Sequence, residues 1–219
     1  KAVLSGPNQP ITQRPLEPER DTFAMARHLT LKLPADVTAP LLTTVPAAFH
    51  GRINDVLLTA LVVAVAGWRR RCGAHANGTS NAVLIDLEGH GREQQLFEGV
   101  DLSRTVGWFT SLFPVRLDAG ALDVEEALEG GAALGQALKR IKEQLRALPD
   151  GGLGYGLLRH LNPETAPALV GLATPQICFN YLGRFARVQG ADWQIAPEAE
   201  ALGGGGIDPD MPFAHSLEI

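Results

Sequence analysis

The segment Asp86-Leu87-Glu88-Gly89-His90-Gly91-Arg92-Glu93 is the most unusual stretch of this 219-residue chain for side chains able to move a proton. The apolar run that begins at Ala82 reads as a strand, and it delivers Glu88 into a turn. The flanking glycines let the backbone approach another group closely. Strand alternation places Asp86 and Glu88 on the same side. A carboxylate at a strand end, among apolar neighbours, is well placed for general acid–base work. The competing reading is a surface turn in which Glu88 pairs with Arg92.

Two further clusters join it. Arg104 to Pro114 (RTVGWFTSLFP) combines aromatics, assigned to the core, with hydroxyls suited to lining a channel. Phe179-Asn180-Tyr181-Leu182-Gly183 sets Asn180 and Tyr181 inside an otherwise apolar strand. Either side chain can hydrogen-bond a ligand carbonyl or neighbouring backbone. The chain has two tyrosines, Tyr155 and Tyr181, and both fall in short clusters of this kind.

Other chemistries find little footing. The glycine loop Asp150 to Gly156 is out of register with G-x-G-x-x-G and follows a helix, whereas a dinucleotide fingerprint follows a strand. There is no Walker-type phosphate loop and no G-x-S-x-G elbow. The six histidines show neither HExxH nor paired ligand spacing, so no metal centre is expected. A formal charge of −5 argues against nucleic acid. The one basic run, Arg69-Arg70-Arg71, falls at a helix end, where cations favour the dipole. Cys72 and Cys178 have no CxxC context, which fits a reducing, cytoplasmic setting and leaves a single disulfide open. The longest apolar stretch, Val56 to Trp68, falls short of the about 20 residues a membrane span requires.

These clusters need a framework. With 45% apolar and 20% charged residues, the chain has ordinary globular composition. Four prolines within residues 1–21 mark a linker or crossover. The alternation His28 to Leu33 predicts a half-buried strand, and residues 35–49 have helical character broken by Pro40 and Pro46. Asn54 to Arg71 predicts a buried helix, capped by Asn54 or Asp55 and ended by Gly73. Strands are expected at Ala82–Leu87, as a pair across Thr105–Leu117, at Gln176–Leu182 and at Asp192–Ile195, and residues 76–80 read as a polar turn. A second long helix is expected from Val124 to Leu148, stopped by Pro149, with short helices at Leu157–Leu161 and after Pro163. Gly203 to Gly206 reads as a flexible loop, and Ser216 to Ile219 as the start of a strand, as if the chain were a fragment. The class is mixed α/β, helices against a sheet.

In order along the chain, the clusters resemble the later core motifs of epimerization domains from nonribosomal peptide synthetases. Asn54 to Leu61 resembles the third motif, Glu88 to Glu93 the fourth and Arg104 to Pro114 the fifth. Pro149 to Gly156 resembles the sixth and Phe179 to Arg184 the seventh. The tail, Asp208 to Pro212 and His215 to Ile219, is also similar. The family's first two motifs, including a His-His-x-x-x-Asp-Gly loop that supplies a histidine, are absent.

The resemblance implies the C-terminal lobe of a chloramphenicol-acetyltransferase-like two-layer sandwich, a mixed sheet packed against helices. Residues 1–27 are then the crossover from a missing N-terminal lobe, and residues 28–219 a C-terminal lobe truncated at its end. It implies inversion of the α-carbon of an aminoacyl or peptidyl thioester held on the 4'-phosphopantetheine of a peptidyl carrier protein, with no cofactor bound by the chain itself. Glu88 is matched to the catalytic acid/base. Arg92 and His90 are matched to positions that support the site, and Asn180 and Tyr181 to positions near the substrate. The implied partners are the carrier protein, the missing lobe and neighbouring synthetase domains, in the cytoplasm, with neither nucleic acid nor membrane. With half an active site, the isolated chain is expected to be inactive. A condensation-domain lobe and a non-catalytic docking lobe are the alternatives; the Glu88–Glu93 motif favours epimerization.

Overall fold

The computed structural model describes residues 2–6, 9–12, 14–73, 81–92, 98–184 and 207–219. The turn expected at 76–80, the strand at 192–195 and the glycines 203–206 lie outside them.

Four strands, β1 (Val83–Gly89), β2 (Ser111–Leu117), β3 (Ile177–Phe179) and β4 (Leu217–Glu218), form one sheet in the order β2-β1-β3-β4. The sheet is mixed. β1 runs antiparallel to β2 and parallel to β3, and β3 runs parallel to β4. Asp86 stands opposite Pro114 on one side and Cys178 on the other, and Cys178 stands opposite Glu218. Side chains in register share a face. Val83, Ile85 and Leu87 therefore join Phe113, Val115, Leu117, Ile177 and Phe179 on one apolar face, all in the buried core. Asp86, Glu88, Cys178 and Glu218 belong to the opposite face.

Helices α4 (Ile53–Arg71) and α6 (Ala132–Arg146), with the short α5 (Val124–Leu128), cover the apolar face through Leu58, Val62, Ala127, Ala137 and Ile141. Helix α4 buries Leu58, Val62, Val63, Val65 and Ala66, as its apolar composition requires, and exposes a strip through Ala60, Ala64 and Trp68 together with Arg70 and Arg71 at its charged end. It starts one residue before the expected cap. Asp55 sits at the third helical position, and its Oδ2 accepts the Arg52 backbone N–H at 2.7 Å. The basic run falls in the last turn of α4, as expected, but its side chains diverge. Arg69 is only 1% exposed, donating to the Ala82 carbonyl at 3.0 Å and to the Gln9 carbonyl, because its place on α4 faces the sheet. Arg70 remains outside and pairs with Glu125 at 3.2 Å.

Further expectations are corrected. The helix drawn over 124–148 is two helices, because Gly130 turns to a φ of +82° between them. Asp123 caps α5 by accepting from the Glu125 and Glu126 amides at 3.1 Å. Residues 28–33 form no strand: Leu29 is 85% exposed, and alternation makes a strand only where a sheet edge is at hand. Of the pair drawn over 105–117 only β2 forms, and Trp108, assigned to the core, is 89% exposed. The strand drawn over 176–182 narrows to β3. Residues 35–49 give α2 (Ala35–Leu42) and α3 (Thr44–Ala48), which break at Thr43 rather than at either proline.

The proline-rich opening is docked irregularly rather than free. Gln176 Oε1 accepts the Ile11 amide at 2.7 Å, Thr22 bridges Pro212, and the Phe23 and Phe213 rings lie 5.0 Å apart. Helix α1 (Ala2–Ser5) is held against β2 by Arg116, whose Nε donates to the Val3 carbonyl at 2.8 Å. Among the described residues, no single helix is long and apolar enough to cross a membrane.

Candidate active site

Glu88 projects from the end of β1, its side chain 27% exposed. Parallel pairing carries the end of β3 alongside, which brings Asn180 to it across 92 positions of sequence. Asn180 Nδ2 donates to Glu88 Oε2 at 2.8 Å. His90 Nε2 lies 2.7 Å from Asn180 Oδ1 and 3.9 Å from Glu88 Oε2. Thr110 Oγ1 lies 3.4 Å from His90 Nδ1.

The chemistry of the groups orients this row. An amide oxygen accepts and cannot donate, so the His90 proton belongs on Nε2. In the tautomer protonated at Nε2 alone, Nδ1 accepts from the Thr110 hydroxyl. Thr110, His90 and Asn180 thus donate one to the next, and the row ends on Glu88 Oε2. The arrangement holds one carboxylate oxygen and leaves the other, Oε1, with a thiol 4.0 Å away as its neighbour, that of Cys178. Burial foremost, then the charges of Glu88, Glu218 and Asp86, push the Cys178 thiol up to about 12. It stays protonated, a weak donor rather than a nucleophile.

A cavity of about 530 Å³ opens in front of Glu88. Its lining includes His90 and Tyr181, with Arg52 and Asn54 from the start of α4 and apolar Phe113 and Leu148. The glycine-dense loop after α6 supplies Asp150 and Gly151 to the rim. Gly152 in that loop has a φ of +90°, and a Cβ there would fall 2.3 Å from the Phe113 ring, so this close approach needs glycine. Gly89 is similarly tight, with a Cβ landing 2.8 Å from Ser111 Oγ.

Of the five side chains singled out in the sequence, Glu88, His90 and Asn180 are joined directly, and Tyr181 lines the same cavity. Arg92 is elsewhere. Its Nη2 donates to the Thr105 carbonyl at 2.8 Å, and its guanidinium lies over the Phe109 ring at 4.6 Å. The pairing of Glu88 with Arg92, the surface-turn reading, is not the one formed. Arg92 braces the loop that carries Thr110, the hydroxyl that meets His90. Sequence reasoning missed Cys178 as a neighbour of Glu88, and Arg52 as cavity lining; the strand register was the missing information. The hydroxyls of the Arg104 to Pro114 segment were noted, but not the partner of Thr110.

The family model described as "Condensation domain" matches residues 2–204. A linear gramicidin synthase protein of Brevibacillus parabrevis is 41% identical over 207 residues, covering 94% of this chain and 2% of that protein. Bacitracin synthase 3 of Bacillus licheniformis is 36% identical over 207 residues, covering 92% of this chain and 3% of that protein. The chain therefore spans a few per cent of the length of these relatives. Among solved structures, the epimerization domain from the third module of tyrocidine synthetase B superposes with a TM-score of 0.71 at 35% identity. That match covers 95% of this chain and 42% of the other. Fold, motif order and sequence agree: the chain belongs to the condensation-domain family of nonribosomal peptide synthetases.

Proposed function

We propose that this chain is the C-terminal lobe of an epimerization domain, and that Glu88 is one of its two proton-handling groups. Residues 1–27 then act as the crossover to an N-terminal lobe, and the second group, a histidine, comes from outside these 219 residues. The observation that carries this reading is Glu88 at the cavity wall, with Oε2 accepting from Asn180 at 2.8 Å and Oε1 meeting, among the described residues, the Cys178 thiol at 4.0 Å.

The substrate is an aminoacyl or peptidyl thioester on the phosphopantetheine arm of a carrier protein. The α-C–H bond breaks, its proton passes to Glu88, and the electron pair moves onto the thioester oxygen as an enolate. A proton delivered to the opposite face of the planar carbon completes inversion, and proton return regenerates both groups. Asn180 and His90 hold Glu88 in line for this transfer, a positioning contribution. Tyr181, which lines the same cavity, is in this reading the donor to the enolate oxygen, a stabilisation of a few kcal/mol. Arg92 supports the site through the 104–110 loop.

Incubating the intact synthetase domain with aminoacyl carrier protein in D2O tests the proposal. Deuterium at the α-carbon together with the inverted enantiomer is the expected result. No exchange, but amide formation once an acceptor-loaded carrier is added, would assign the lobe to condensation. A relative with a solved epimerization domain favours the first outcome.

A further inference from the structure

A second carboxylate on β1 is engaged quite differently. Asp86, two positions before Glu88 on the same face, has a side chain 11% exposed, and its Oδ2 lies 2.9 Å from Nε2 of His215, itself 7% exposed. Neither residue lines the cavity in front of Glu88. His215 is the one buried residue of the described segment 207–219. That segment ends in β4, which has two residues, both exposed, and so little apolar surface to hold it.

Yet β4 is what the end of β3 rests on. The Ser216 and Leu217 amides donate to the Gln176 carbonyl at 2.9 and 3.1 Å, and the Ile219 amide donates to the Cys178 carbonyl at 3.0 Å. In return the Asn180 amide donates to the Ile219 carbonyl at 2.7 Å. The backbone of Asn180 is thus anchored by β4, and its side chain anchors Glu88.

We propose that Asp86 and His215 are positioning residues, a buried pair that clamps β4 onto β3 and so sets the backbone from which Asn180 holds Glu88. The functional half of this inference rests on the role proposed above for Glu88; the clamp itself does not. The groups facing the pair are Glu218 on β4, whose Oε1 lies 3.6 Å from His215 Nδ1, and Cys178 on β3, whose protonated thiol brings no charge. Arg27 and His28 share a cavity of about 340 Å³ with His215 and Glu218. Hydrogen bonding to Asp86, outweighing burial, raises the pKa of His215 above its ordinary value. A raised value makes the clamp strongest with the ring protonated, at pH below the ordinary histidine value of about 6.5, and weaker as pH rises through the folded value.

Hydrogen–deuterium exchange on the intact domain, corrected for the intrinsic pH dependence, tests the clamp. In the wild type, protection of residues 216–219 and of the Asn180 amide is expected to fall between pH 6 and pH 9. In Asp86→Asn that fall disappears, and protection at pH 6 drops about tenfold or more, beyond any loss shared with α4 and α6. Glu218→Gln, at the exposed partner, is expected to change protection much less. Unchanged protection of 216–219 and Asn180 in Asp86→Asn would overturn the proposal.

The kinetic arm uses α-proton exchange. Asp86→Asn is expected to lower kcat about 10- to 100-fold with KM for the aminoacyl carrier nearly unchanged, as misplacement of a proton acceptor requires. Wild-type kinetics in Asp86→Asn would refute the positioning role. An inactive wild type would refute the reading of Glu88 and leave the clamp to be decided by the exchange arm.

Discussion

Asp86 and Glu88 are two carboxylates on one face of one strand, two residues apart, and they end in opposite circumstances. Asp86 is buried and meets a histidine that titrates. Glu88 is partly open to a cavity, and its closest donor is a neutral amide at 2.8 Å, with the His90 ring farther off at 3.9 Å. A buried ionic partner holds a carboxylate in place, because uncoupling the pair leaves a charge without a partner or water. A neutral donor on one oxygen fixes direction and leaves the other oxygen able to accept a proton. The difference separates a group that holds structure together from one suited to proton transfer. Residue type and strand position do not distinguish them.

Substitutions can break this contrast or sharpen it. The largest effect on turnover is expected from Glu88→Gln, about 10³-fold in kcat, within the range for losing a general acid–base group. Little change in melting temperature should accompany it, since Glu88 is partly exposed. Asn180→Ala comes next, at about 10- to 100-fold in kcat, because the carboxylate survives but loses its orienting donor. Single-turnover α-proton exchange measures both. On stability the order reverses: Asp86→Ala is expected to cost about 3 kcal/mol in denaturant unfolding, in line with breaking a buried pair. That is comparable to Ile141→Ala in the centre of α6, where a cavity would open at a similar cost of about 2–5 kcal/mol. The smallest effect is expected from Cys178→Ser, within about threefold in kcat, because a thiol at 4.0 Å contributes little as a donor.

The contrast also carries a pH signature. His215, raised by its partner, contributes stability that is fully present below the ordinary histidine value and is lost as pH rises through the folded one. The wild type should therefore melt at a lower temperature at pH 9 than at pH 6. Subtracting the same difference for His215→Gln isolates this pair from the other histidines, and a subtraction of zero would show that the pair carries no such linkage.

Much of the site was legible along the chain because its parts sit at strand ends. Alternation placed Glu88 beside Asp86, and polar residues inside the apolar run marked Asn180 and Tyr181. Three-dimensional partners were not legible. His215 meets Asp86 across 129 positions and Asn180 meets Glu88 across 92, separations that only the parallel register closes. What was not legible has separate physical causes. Leu29, Leu31 and Leu33 alternate like a strand, but alternation is silent on whether a sheet edge is present. Trp108 has the composition of a core residue, yet its loop lies outside the sheet. The helix over 124–148 rested on its Ala, Leu, Glu and Lys content and on Pro149, and composition does not register the turn at Gly130-Gly131 that splits it. Arg69 was grouped with its neighbours by charge, although its helical position faces the core.

The most direct measurement is α-proton exchange in D2O on carrier-bound substrate, comparing the wild-type intact domain with Glu88→Gln at matched carrier affinity. Deuterium uptake and inversion are predicted for the wild type. For the variant the prediction is loss of inversion, with carrier binding unchanged within about twofold. Inversion at the wild-type rate in Glu88→Gln would contradict a proton-handling role for Glu88.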